Sequence, residues 1–319
     1  MSGAMGALLV KQPGLLSLLQ DGGRLGCHGI GLTCGGPLDP WAFRVANRLC
    51  GNADTVTALE VSFGGLVLEA EGDSVVAVTG AELDLKVNGE MRSLWCSHRI
   101  RQGDRIELGY GRKGTRAYLA IAGGFIVAPQ FGSTATVVRE GVGGLDGGAV
   151  KPGDRLAFVP CSAPQGWRLP AELRPGYGDS VTLRMVLGYQ QEAFSREQQL
   201  RFFQGEYRVT DRSDRMGFRL DGPPITSTLD GILSEGICHG AIQVPADGQP
   251  IVLLNDRQTI GGYPKLGSVI AEDTARLAQL APGACIRFES ISQEQAHNLS
   301  ALAAARWQRL TLEPVPLEP

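Results

Sequence analysis

The chain has 319 residues, 43% hydrophobic and 20% charged, with a formal net charge of −3 at pH 7. That length accommodates two domains, and the composition is that of a globular protein, not a disordered one. Lys and Arg are scattered, with no basic block interleaved with aromatics, which argues against nucleic acid as a partner. Forty-four glycines against 6% aromatic residues, many of them in pairs between short apolar runs, read as a turn-rich β protein.

Near the N-terminus, "LLQDGGRLG" sets Gln20, Asp21 and Arg24 around a glycine pair, which predicts a turn with a local Asp–Arg contact. "DPWAFRVANRLCGN" is the clearest helix. Asp39 caps it, Pro40 suits its first position, Gly51 stops it, and Ala42, Val45, Ala46 and Leu49 share one apolar face. The Gly-Gly turn before it leaves backbone N–H groups at the positive end of a helix dipole, where phosphate or carboxylate can bind.

"GGLVLEAEG", "SVVAVTGAELDLKVNG" and "TRAYLAIAGG" read as strands bounded by glycine. A turn-plus-strand unit recurs in "RQGDRIEL", "KPGDRLAF" and "APGACIRF", which implies weak internal similarity and two related β domains. "PCSAPQGWRLPAELRPGYGDS" holds four prolines and no periodicity, and is the expected linker. The division that follows is an N-terminal subdomain over 8–160, a linker over 161–180, a C-terminal subdomain over 181–291, and a helix and tail over 292–319. In the second half, "FSREQQLRFFQG" carries a capping box in Ser195 and Gln198, "EDTARLAQLAPG" is a second helix, and Ser292 with Gln295 opens a third. The tail "EPVPLEP" is expected to be frayed.

Two stretches concentrate polar chemistry. "DRSDRMGFRLDG" reads as a solvated strand pair with cross-strand charges, or as a place where the planar fork of Arg215 holds a carboxylate or phosphate. "SEGICHGAIQVPADGQPIVLLNDRQTIGGYPKLGSVI" is richer. Gln243 follows a β-type run, a buried strand spans 251–254, and the next residues bring together Asp256, Gln258, Gly261, Gly262, Tyr263 and Lys265. An ordinary exposed loop would carry Ser, Gly and Asp and little else. Acids and amides at strand ends offer hydrogen bonds to a ligand without moving, and a glycine pair admits close backbone approach. Lys265 can neutralise an anion or oxyanion. Of the four histidines, only His239 lies near these groups.

Seven cysteines at irregular spacing, no C-x-x-C, and no histidine near a second ligand give no expected metal site. Free thiols in a reducing cytosol are the expected setting, and the absence of a signal-peptide pattern or a long apolar run agrees with a cytoplasmic location. There is no P-loop, no G-x-S-x-G elbow and no strand-linked G-x-G-x-x-G, so no nucleotide site or triad is complete within the chain. That pattern points to one member of a complex, or to a site completed by another chain.

Taken in order from about residue 8 to 290, "SLLQDGGRLG", "GGPLDPWAFRVANRLCGN", "YLAIAGG", "DRSDRMGFRLDG", "GAIQVPADGQPIVLLNDRQTIGGYPKLGSVI" and "LAQLAPGACIRF" resemble one family. It is the biotin-dependent carboxyltransferase family (allophanate hydrolase subunit 2-like, urea amidolyase-related), which includes the C-type subunit of bacterial 5-oxoprolinase. The antagonist of a sporulation kinase inhibitor is another member. "LGYQQEAF" departs from it, standing where the family more often has Gly-Pro before the glutamine, and the helix after 291 looks like an extension.

The resemblance implies a mainly β fold of two β-barrel-like, cyclophilin-like subdomains with a cleft between them. It implies a subunit of an ATP-dependent 5-oxoprolinase that opens 5-oxoproline (pyroglutamate) to L-glutamate. The partners would be a B-type, kinase-inhibitor-like subunit and an A-type subunit, with ATP as cofactor. A lactam shares the resonance of a peptide bond, so water attacks it poorly, and phosphorylating its oxygen would remove that resonance. The rival within the family is biotin-dependent carboxyl transfer to urea or a related amide. That chemistry needs a biotin-carrying lysine, usually in an Ala-Met-Lys-Met setting that this chain lacks. A third reading is a non-catalytic binding partner of an inhibitor-like protein.

Resemblance and residue chemistry together nominate Asp256, Lys265 and Arg215 as catalytic. Lys265 or Arg215 would stabilise developing oxygen charge, and Asp256 would accept a substrate N–H. Asp39, Asn47, Gln243, Gln258, Gly261, Gly262 and Tyr263 are the expected substrate-binding residues, with Gln243 and Asn47 orienting the amide. Asp39 and Asn47 would face the others from the first half.

Overall fold

The glycine-bounded runs fold as strands in a computed structural model that describes residues 5–161, 165–229 and 231–317. The chain divides into two compact units: Met1–Gly26, Cys34–Tyr177 and Thr311–Pro319 in the first, Cys27–Thr33 and Gly178–Leu310 in the second. It is mainly β, with four α-helices among the described residues: α1 (Pro40–Leu49), α2 (Arg196–Gln204), α3 (Ala271–Ala278) and α4 (Gln293–Gln308).

In the first unit, a six-stranded sheet runs in the order Arg155–Phe158, Gly6–Pro13, Gly64–Ala70, Arg105–Tyr110, Leu85–Val87 and Glu90–Arg92. A five-stranded sheet is ordered Leu16–Gln20, Ala58–Ser62, Lys113–Ile121, Ser74–Glu82 and Ser97–Ile100. Every pairing in both sheets is antiparallel. Leu8, Leu68 and Ile106 of one sheet and Leu19, Val61, Val76 and Leu119 of the other join in a single apolar core. Burial of each such side chain stabilises the fold by about 1.5–3 kcal/mol relative to exposure. The expected run "SVVAVTGAELDLKVNG" forms two strands, each paired in a different sheet, because Leu83-Asp84 carries the chain from one to the other.

The second unit closes a seven-stranded barrel, ordered Ser180–Leu187, Lys265–Val269, Ala241–Gln243, Ile251–Leu253, Gly217–Asp221, Tyr207–Val209 and Cys285–Ser290. Ser180–Leu187 and Cys285–Ser290 pair in parallel to complete it. From α2, Phe202 stacks on Phe288 at 4.4 Å and lies 5.5 Å from Tyr207, which fastens that helix to the barrel. Asp273 of α3 is fully buried and accepts from the Arg184 backbone N–H at 2.8 Å and from its guanidinium at 2.8 and 2.7 Å.

The recurrent turn-plus-strand unit is one structural device used three times. Gly103, Gly153 and Gly283 take φ values of 91°, 90° and 88°. In each turn the first carbonyl accepts from the N–H of the fourth residue: Arg101 from Asp104 at 3.0 Å, Lys151 from Asp154 at 3.1 Å, Ala281 from Ala284 at 3.1 Å. A left-handed third position with that bond is a type II turn, which favours glycine there. Two copies lie in the first unit and one in the second.

Two local expectations are corrected. The tail expected to fray pairs, as the strand Glu313–Val315, with the strand Gly166–Arg168, which lies in the stretch expected to be the linker. Arg168 fixes that pairing with two bonds to Glu313, at 3.1 and 2.8 Å. The Ser195 box is half made: Ser195 accepts from Gln198 N–H, but the Gln198 side chain accepts instead from the Thr226 backbone at 3.0 Å. Ser292 and Gln295 make the full reciprocal box.

Candidate functional site

The polar stretch 255–265 takes its form from the barrel. Gln243 and Lys265 are register partners on adjacent antiparallel strands, immediately after a shift in register, so their side chains are neighbours. Both are buried, Gln243 to 1% exposure. The Gln243 Nε2 has no hydrogen-bond partner among the described residues. A buried donor left in that state costs about 1–3 kcal/mol. Gly261 lies beside it: a Cβ there would stand 2.7 Å from Gln243 Nε2, 2.5 Å from Ile237 Cδ1 and 3.5 Å from Gln258 Nε2. A side chain there would press on the ends of both Gln243 and Ile237.

Lys265 is held at both ends. Its backbone N–H donates to Gln190 Oε1 at 2.8 Å, and its ammonium pairs with Glu235 Oε1 and reaches the Gly236 carbonyl at 3.4 Å. Gln190 Nε2 donates to the same Glu235 oxygen at 2.8 Å. The Lys265 ammonium first, and then the Tyr189 hydroxyl, hold the Glu235 carboxyl below its usual range. Glu235 sits on a two-residue strand, Glu235–Gly236, that pairs with Ile260–Gly261. A cavity of about 310 Å³ opens here, lined among others by Tyr189, Gln190, Cys238, Lys265 and Ser268. The Cys238 thiol is exposed, with its sulfur 3.0 Å from Ser268 Oγ.

Arg215 and Asp256 are brought together, but upon each other. Arg215 Nε and Nη2 meet the two Asp256 oxygens at 2.9 and 3.0 Å, and Asp256 N–H donates to the Arg215 carbonyl at 3.0 Å. Both side chains are buried, so the fork expected for a ligand anion is filled by Asp256 and ties the loop after Leu253 to the turn before Gly217. Arg257 is also buried, donating to the carbonyls of Ile237 at 3.1 Å and Leu254 at 3.2 Å. His239 Nε2 lies 3.0 Å from Asn255 Oδ1. Burial first, and then the Arg257 charge, lower its pKa to about 4. Gln258 and Gly262 are half-buried, and Tyr263 is 48% exposed.

In the first unit, Asp39 caps α1 as expected, accepting from Ala42 N–H at 3.1 Å, and it also accepts from the Tyr177 hydroxyl at 2.8 Å. The backbone donors ahead of α1 are not left for an anion. Gly36 N–H goes to Gln20 Oε1 at 2.9 Å, Leu38 N–H to Glu60 at 2.9 Å and Asp39 N–H to the Tyr118 oxygen at 2.8 Å. Tyr118 in turn donates to Glu60 at 2.7 Å, and burial followed by the Glu60 charge raises its pKa well above the ordinary value. Asn47 is fully buried, with Nδ2 donating to the Val56 carbonyl at 2.9 Å and Oδ1 accepting from Asn52 at 3.0 Å. Its amide is therefore a strut between α1 and the following loop.

Asp21 and Arg24 do not make the local contact expected of them; both grip the segment 130–135. Asp21 accepts from Ser133 Oγ at 2.6 Å and Thr134 N–H at 2.8 Å, while buried Arg24 donates to the carbonyls of Gln130 at 3.1 Å and Ala135 at 3.0 Å.

Residue chemistry in the sequence did not single out Glu235, Gln190 and Tyr189. Glu235 lies in a polar stretch without a local mark, and "LGYQQEAF" stood out only as a departure from the family pattern. No helix among the described residues is long and apolar enough to cross a membrane.

Comparison with known proteins shows the family. Residues 30–290 match the family described as carboxyltransferase domain, subdomain A and B. The chain is 37% identical to the C-type subunit of 5-oxoprolinase from Escherichia coli over 292 residues, covering 91% of this chain and 93% of that protein. It is 33% identical to the Haemophilus influenzae protein of the same name, covering 88% of this chain and 90% of the relative. The crystal structure of Kluyveromyces lactis urea amidolyase superposes with a TM-score of 0.89 at 27% identity over 96% of this chain, which spans only 20% of that enzyme. The chain belongs to the family of carboxyltransferase domains, subdomain A and B.

Proposed function

We propose that this chain is the C-type subunit of an ATP-dependent 5-oxoprolinase, acting in the cytoplasm with a B-type and an A-type subunit to open 5-oxoproline to L-glutamate. The observation that carries the reading is its end-to-end likeness to the C-type 5-oxoprolinase subunit of Escherichia coli, at 91% of one chain and 93% of the other. The site chemistry supports it. Gln243 Nε2, buried without a partner among the described residues, is a donor suited to a lactam oxygen, and the adjacent Lys265 supplies positive charge for an anionic oxygen of the substrate. Gly261 lets the ends of Gln243 and Ile237 pack close against its backbone, with Gln258, Gly262 and Tyr263 along the same loop. The Arg215–Asp256 pair holds the loop that carries them, which is a positioning role.

In this reading ATP belongs to the assembled complex, where it would supply the phosphoryl group that removes lactam resonance. The test is ATP hydrolysis by this chain with its B- and A-type partners, with and without 5-oxoproline. Stimulation by 5-oxoproline with glutamate appearing is the expected result; silence from active partner preparations overturns it. The superposition on urea amidolyase favours a second reading, carboxyl transfer to an amide. The same preparation with urea and a biotinylated carrier protein tests that.

A further inference from the structure

Glu235 behaves as a bound ligand would. Lys265 Nζ and Gln190 Nε2 both donate to one oxygen of its carboxylate. Both donors line the cavity of about 310 Å³, as does Tyr189. The acid itself arrives on Glu235–Gly236, which is tied down through a two-residue pairing with Ile260–Gly261. The wall behind, by contrast, is rigid barrel: Lys265 and Gln243 sit in paired strands and are buried. A preorganised donor set is thus closed by a carboxylate on a lightly held strand, next to an amide donor with no acceptor.

From this we infer that the cavity is a carboxylate receptor, with Glu235 its internal occupant. The natural ligand carries a carboxylate that displaces Glu235 from Lys265 and Gln190, together with an oxygen acceptor for Gln243. The inference rests on the proposed function in placing the substrate at Lys265 and Gln243, and adds to it the class of ligand: an amide that is also a carboxylic acid, as against urea. Displacement exchanges one carboxylate for another, so charge on Lys265 stays compensated throughout. Glu235 then acts as a specificity filter. A neutral amide cannot replace the ion pair, and the ligand-free site holds Lys265 paired for most of the time.

The exposed Cys238 thiol lines the same cavity and supplies a readout independent of turnover. The full chain is treated with iodoacetamide, and alkylation of the Cys238 peptide is followed by mass spectrometry. The probes are 5-oxoproline, its decarboxylated analogue 2-pyrrolidone, and the open-chain carboxylates acetate and glutarate. If Glu235 fills the receptor about nine-tenths of the time, its removal raises apparent affinity about tenfold. Glu235→Gln and Glu235→Ala are therefore expected to lower the half-protecting concentration of 5-oxoproline about tenfold. Protection by 2-pyrrolidone stays absent or unchanged, and Lys265→Met abolishes protection by carboxylates.

Weaker protection in both Glu235 variants, in chains that fold with wild-type circular dichroism, overturns the inference. So does protection by 2-pyrrolidone equal to that by 5-oxoproline, which leaves the amide reading standing. Absence of protection by every carboxylate also overturns it. Protection by acetate or glutarate but not 5-oxoproline, with the same Glu235 dependence, upholds the receptor and sinks the 5-oxoproline assignment.

Discussion

Replacing Gln243 by Leu separates a ligand-binding amide from a structural one, because the two roles predict opposite signs. Gln243 is 1% exposed and its Nε2 lacks an acceptor among the described residues. Its surroundings include Ile237, of the small apolar cluster with Ala241, Ile251 and Leu253. Leu is close to Gln in volume and joins that cluster. An unsatisfied buried donor costs about 1–3 kcal/mol, so Gln243→Leu should stabilise the ligand-free protein by about 1–2 kcal/mol after some loss to imperfect packing. For a unit of this size that raises Tm by about 3–8 °C. The same substitution removes a hydrogen bond to the ligand and should weaken 5-oxoproline binding about tenfold, since one net bond contributes roughly 1.4 kcal/mol. Differential scanning calorimetry gives the first quantity and Cys238 protection the second. A lower Tm with unaltered protection would refute the reasoning, since the amide would then serve the fold alone.

Three further outcomes follow from the geometry. Gly261→Ala places a methyl 2.5 Å from Ile237 Cδ1 and 2.7 Å from Gln243 Nε2, so it should lower Tm and cancel ligand protection of Cys238; unchanged protection would show that the amide has room to turn away. Asp273→Asn should destabilise the second unit by about 2–3 kcal/mol in urea unfolding at pH 7. Burial works to raise the Asp273 pKa, but the bonds from Arg184 outweigh it and leave the pKa lowered. The stabilisation is therefore full above the unfolded value near pH 4 and is lost as pH falls through the depressed one, a loss the variant should lack. His239 is depressed to about 4 from 6.5. Its neutral form is the folded one, so stability is full above about pH 6.5 and declines by roughly 3 kcal/mol as pH drops to about 4. His239→Gln should flatten that slope, and an unaltered slope would assign it to other groups.

Local chemistry was legible wherever a residue acts on its own neighbourhood. Asp39 caps α1, Ser292 and Gln295 close their box, and the glycines of the three repeated turns take the left-handed conformation that a type II turn favours. The glycine-bounded apolar runs of the first half became strands because alternation and β-branching suit a half-buried sheet whatever lies opposite. Gln243 stands beside Lys265, its register partner, and beside Gly261.

Where the sequence misled, a distant partner decided the outcome. Tail residues Glu313–Val315 order because Gly166–Arg168 offers an edge, and Arg168 meets Glu313 across 145 positions of chain. Arg215 looked like an anion fork until the barrel set Asp256 against it, and Asn47 looked like a ligand amide until Val56 and Asn52 took both its ends. Glu235 and Gln190, 45 residues apart, become one site with Lys265 only through strand pairing. The sequence alone determined the β character, the turns, the caps and the polar end of a buried strand, because those depend on conformational preferences of a few adjacent residues. Tertiary structure alone decided which charges neutralise one another and which buried amide is left without an acceptor, because pairing energies depend on distance in space and on burial, and neither is written in the order of residues.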